Sequence, residues 1–148
     1  MTLEAVLASL HLLAILTLVV FLSSEAALCR REWMNAAVVE RLVRLDAICL
    51  GALLAVLLTG LARIVWGVKG GSWYVSQPLF HLKATLFLLM VALWCWTAVA
   101  FRRWRRVSRA EGTLPGDAEI QRVRRLVMVS SHLLPVAGVM AVFWARGW

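Results

Sequence analysis

Residues 79–101 read LFHLKATLFLLMVALWCWTAVAF, and RRWRR follows at 102–106. About 20 apolar residues suffice to cross ~30 Å of hydrocarbon as a helix. The arginines that close this run suit an aqueous surface rich in anionic headgroups. Similar runs occupy residues 5–22 and 47–68, and a shorter one lies at 126–144. Hydrophobic residues make up 62% of the 148-residue chain, well above the roughly 45–50% of soluble domains, which argues against a soluble all-α bundle. The expected fold is an all-α integral membrane four-helix bundle. It forms one domain over residues 1–148, with spans near 3–28, 45–68, 78–101 and 122–146. Short connections between consecutive spans favour an antiparallel up-down-up-down order.

The charge, +8 in total, gives the orientation. No Lys or Arg precedes the first span, and four arginines (Arg30, Arg31, Arg41, Arg44) separate spans one and two. Lys69 alone lies between spans two and three, eight arginines lie between three and four (from Arg102 to Arg125), and Arg146 follows the last. By the positive-inside rule the two basic loops are cytoplasmic, and both termini and the Gly-rich loop face outward. A multi-pass protein of a bacterial inner membrane is expected, with lipid headgroups rather than nucleic acid as the partner of the charge. The first span lacks a basic flank and a small-x-small cleavage site, so it reads as a retained helix and not a signal peptide. Cys29, Cys49 and Cys95 form no metal-binding spacing and are expected as free thiols.

Local signals refine the elements. Asn35 suits the N-cap of the second helix, and Gly67, Gly70 and Gly71 suit its end. A loop over 71–78 carries Trp73 and Tyr74, and Pro78 fits the first turn of the third helix. That helix is expected to end in the basic stretch 102–106. Pro115 and Gly116 mark a turn, Asp117 and Glu119 favour a helix start, and Pro135 should bend the fourth helix. Trp33, Trp66, Trp73, Trp104, Trp144 and Trp148 read as interfacial, and Trp94 and Trp96 as facing lipid or lining a pocket. The arginines of 102–109 read as a headgroup-binding face. Glu25 reads as a solvated carboxylate at the cytoplasmic end or as a proton-handling group.

Ionisable groups within spans are costly and are functional candidates for that reason. This chain places all three histidines there (His11, His81, His132), together with Arg63 and Lys83. His11 lies ~13 Å into the first helix at ~1.5 Å per residue. His81 and Lys83 lie just below Pro78, and Arg63 one turn below Gly67, so all four fall in the outer half. Two histidines with two cations at similar depth suit haem b, with His11 and His81 as axial ligands of the iron and Arg63 and Lys83 on the propionates. His11 lies deeper than His81 by about two turns, and His132, entering from the other side, is the alternative ligand.

Leu10-His11-Leu12 and Phe80-His81-Leu82-Lys83 resemble motifs of the HemJ family of membrane protoporphyrinogen oxidases, and the architecture is similar to the CopD copper-resistance membrane domains. The HemJ resemblance implies haem b, with His11, His81 and Lys83 in the matching positions, and oxidation of protoporphyrinogen IX. Phe80 stands where that family has tryptophan, and residues 130–135, SSHLLP, stand in place of an Asn-Glu-x-Pro-like stretch. Small uncharacterised membrane families share these features too. The expected function is a haem b-binding redox protein acting on a porphyrinogen or passing electrons to a quinone. The alternatives are a non-catalytic accessory subunit of a larger membrane complex or a homo-oligomer, and CopD-like copper transport. Against copper, the methionines form no cluster of soft ligands.

Overall fold

The computed structural model describes residues 2–66 and 71–145, without the side chains of Thr2, Tyr74 and 141–145. Expectations for Gly67, Lys69, Gly70, Arg146 and Trp148, and for the side chains of Tyr74 and Trp144, lie outside the described residues. The elements are α1 (Thr2–Leu28), a 3-10 turn (Arg31–Trp33), α2 (Ala36–Trp66), the short α3 (Gly71–Ser76), α4 (Pro78–Glu111) and α5 (Asp117–Ala145). No strand occurs among the described residues. Four of these helices are long and apolar enough to span a membrane.

Each long helix packs on two others. α1 lies against α2 and α5, and α4 lies against the same two. The four therefore form a square in which α1 faces α4 diagonally, and α2 faces α5. Leucine and valine cover the outside: Leu58, Leu88, Val65 and Val99 are each more than 60% exposed. Such a surface is stable against acyl chains and not against water.

Helix ends follow local chemistry. The Asn35 side chain accepts a bond from the Val38 amide at 3.0 Å, capping α2. Pro78 opens α4 after the extended residue Gln77. The loop expected at 71–78 is instead mostly the short helix α3, with Ser76 Oγ donating to the Trp73 carbonyl at 2.8 Å. α4 also outruns the expected end at 102–106 by more than a turn. Arginine ends an apolar run without ending a helix, and α4 continues to Gly112, whose φ of 67° is the left-handed cap that glycine adopts freely.

Two apolar clusters hold the bundle. One, at mid-depth, joins Leu18, Leu22, Leu53, Met90, Trp94 and Leu134. The other, toward the arginine-rich end, joins Val39, Leu42, Phe101, Trp104, Ile120 and Val127. Trp104 is buried here, not interfacial, and its indole N–H donates to Glu119 Oε1 at 2.5 Å. Part of the arginine face is also committed inside the protein. Arg103 pairs with Glu119, Arg109 with Glu40 at 2.6 Å, and Arg102 with the buried Asp46 at 3.6 Å. Glu25 is fully buried, so it is not a solvated carboxylate.

Candidate functional site: a groove between α2 and α4

In the half of the bundle away from the arginines, α2 and α4 part around a cavity of about 460 Å³, within the roughly 300–1,000 Å³ common for small-molecule sites. Phe80, Ala84, Phe87, Val91 and Trp94 form its α4 wall. Their spacing is the stripe that one face of a helix presents. Leu54, Leu57 and Leu61 of α2 and Leu88 of α4 line it while remaining exposed on the outer surface. The cavity therefore opens sideways between two helices. Its ionisable lining residues are His11, Arg63 and Lys83.

His11 reaches the cavity from α1 and is buried. Its ring lies on Gly60, where a Cβ would sit 3.4 Å from His11 Cε1, so the missing side chain admits the imidazole. His11 Nδ1 and Thr59 Oγ1 are 2.8 Å apart. The Thr59 hydroxyl has one proton, and it is donated to the Ala55 carbonyl at 2.5 Å. Thr59 oxygen is then the acceptor and Nδ1 carries the imidazole proton, with the Val56 carbonyl also beside the ring; in that tautomer Nε2 is the unprotonated nitrogen. That is the tautomer a metal ligand requires.

Arg63 and Lys83 act electrostatically on each other and on His11. The ion pairs among the described residues engage Arg31, Arg102, Arg103 and Arg109, and neither groove cation. Arg63 Nε is buried with no hydrogen-bond partner. Two like charges in apolar surroundings without a carboxylate are costly. An anion between them would remove that cost.

The remaining sequence candidates lie elsewhere. His81 is exposed, and its Nε2 bonds the Val75 carbonyl at 2.7 Å, tying α3 to α4. At ~100° per residue, His81 and Lys83 point ~200° apart on one helix; Lys83 lines the groove and His81 does not. His132 is exposed on α5 and bonds the Met128 carbonyl at 2.6 Å. The structure thus brings together His11, Arg63 and Lys83, without a second histidine. Among the described residues no three His, Cys, Asp or Glu side chains could hold a metal ion. Sequence reasoning missed Thr59 and Gly60, a small polar pair within an otherwise apolar run. It left Trp94 between lipid and pocket; the side chain is buried and lines the groove, whereas Trp96 is exposed.

The chain belongs to the DUF2214 family, described as a predicted membrane protein, whose model matches residues 3–148. No curated protein and no solved structure matches it. Family membership supports a multi-pass membrane protein and gives no support to HemJ or CopD in particular.

Proposed function

We propose that the α2–α4 groove binds a flat or extended apolar molecule bearing acidic groups, and that this molecule is haem b, making the chain a membrane redox protein. One observation carries the reading: a buried histidine, protonated on Nδ1 beside Thr59, shares an apolar cavity with two cations that no acid among the described residues pairs. His11 would hold the iron through Nε2, and Lys83 and Arg63 the propionates. Bound haem would supply one-electron chemistry. Thr59 fixes the imidazole tautomer, Gly60 makes room for the ring, and the aliphatic walls keep water away. With His81 and His132 outside the groove, His11 is the one histidine that would hold the iron, in place of the pair expected from the sequence. A quinone is a fitting electron partner for a site that opens sideways, and a porphyrinogen a fitting substrate.

The test is absorption spectroscopy of the purified protein, as isolated and after titration with haemin. A pentacoordinate, high-spin spectrum is expected, lost in His11→Ala and kept in His81→Ala. A colourless protein that takes up no haemin would reject the haem assignment. The non-catalytic subunit would then be the stronger reading.

The arginine distribution supports the orientation, and a bacterial inner membrane is the proposed location. Reporter fusions after Gly71 and after Trp148 should report the outside, and fusions near Arg44 and Pro115 the cytoplasm. An external loop at 112–116 would reverse the assignment.

A further inference from the structure

Below the groove, toward the arginine-rich end, a second polar site lies inside the bundle. Glu25 of α1 is fully buried, Asp46 of α2 is 1% exposed, and each lies within electrostatic reach of the other. Both oxygens of Glu25 and Oδ1 of Asp46 have no hydrogen-bond partner. From α4, Trp94 reaches toward Asp46 with an indole N–H that is also buried and unpartnered. Cys49 of α2 lies against Glu25 and supplies a weak S–H donor.

The surrounding charges do not balance the two acids. Arg102 of α4 contacts the other Asp46 oxygen at 3.6 Å, and its side chain is 54% exposed. Arg124 of α5 acts on Cys29, one turn beyond Glu25, and its Nε is itself unpartnered. One partly hydrated guanidinium therefore faces two carboxyl groups. The hydrogen bonds fall short in the same direction, since three acceptor oxygens face one strong donor, the Trp94 N–H. Two buried carboxylates sharing one such neighbour are not both ionised at modest cost. A single added proton corrects both shortfalls, because it removes one negative charge and turns an acceptor into a donor.

We infer that Glu25 and Asp46 form a proton-binding site, holding one shared, exchangeable proton in the inner half of the bundle. The proton leaves a hydronium ion in the water at the arginine-rich surface and reaches Asp46 directly, beside the exposed Arg102, whose guanidinium stays charged and relays nothing. One O–H bond forms on a carboxylate oxygen, and nothing is oxidised or reduced. Trp94 lines the inner end of the groove and also faces Asp46, so the site stands between the groove and that surface. The inference does not depend on what the groove binds.

The test is infrared spectroscopy of the purified protein in lipid nanodiscs, titrated from acidic to alkaline pH in H2O and D2O. The other six side-chain carboxyl groups (Glu4, Glu32, Glu40, Glu111, Asp117, Glu119) lie near helix ends, and none of them is buried. At pH 7 one protonated-carboxyl carbonyl band per chain is expected, shifting in D2O and disappearing on alkalinisation. Glu25→Gln or Asp46→Asn should abolish or displace it, and the double variant should bind one proton fewer than the wild type. The wild-type spectrum decides even if a variant fails to fold. Absence of the band at pH 7, or an unchanged band in both single variants, would overturn the inference.

Discussion

The two ends of the bundle solve the problem of charge in opposite ways. At the arginine-rich end, Trp104, Phe101 and Val127 fill the space between helices, and Arg103 and Arg109 find Glu119 and Glu40. At the other end the helices part, and Arg63 and Lys83 face an apolar cavity with no acid of the described residues to meet them. Charge satisfied within the protein supports structure, whereas charge left over in a cavity points to something that comes from outside. This contrast separates two sets of basic residues that composition alone counts together.

The largest expected effect tests the packed end. Phe101 is fully buried, and Phe101→Ala should cost about 3–5 kcal/mol, as for other large-to-small core changes, in reversible unfolding in mixed micelles. Leu88→Ala, at a groove residue 66% exposed, should cost less than about 0.5 kcal/mol. Equal costs would erase the contrast. Next is Glu119→Gln, which weakens the bonds to Trp104 and Arg103 together. A loss of about 1.5 kcal/mol is expected, as for hydrogen bonds to charged groups.

Lys83→Met reverses the sign. Removing a cation that no acid among the described residues meets should leave stability unchanged or raise it. Binding of an acidic amphiphile should weaken about tenfold, or about 1.4 kcal/mol, by equilibrium titration. A clear loss of stability would mean that Lys83 is satisfied within the protein after all. The smallest effect belongs to Glu40→Gln. The Arg109–Glu40 pair is solvent-exposed on the arginine side, so any drop in melting temperature should be slight and vanish in high salt.

Much of the fold was legible because a membrane helix is announced by length and composition, and its ends by Asn35 and Pro78. The end of α4 was misplaced because the apolar run and the helix are different things. Nothing after Phe101 breaks a helix before Gly112, and Trp104 still faces inward. In the site, His11, Arg63 and Lys83 stood out as ionisable residues within apolar runs. His81 was grouped with them by depth and by the HemJ-like stretch Phe80-His81-Leu82-Lys83, although its two-residue offset from Lys83 already sets the two on opposite faces. The burial of Glu25 was not legible, since it depends on which side of α1 meets α2. Asp46 passed unnoticed, because it stands among the arginines at the edge of a span.

The groove's sideways opening also determines how its affinity must be expressed. A ligand that enters past Leu61 and Leu88 is dissolved in the acyl chains, not in the buffer. Occupancy then follows the ligand's mole fraction in the lipid, so diluting the sample with buffer should leave a strongly partitioned ligand in place. Adding empty vesicles should strip it. Dissociation constants quoted in aqueous molarity would differ between laboratories by the ratio of lipid to protein, while a constant in mole fraction would agree.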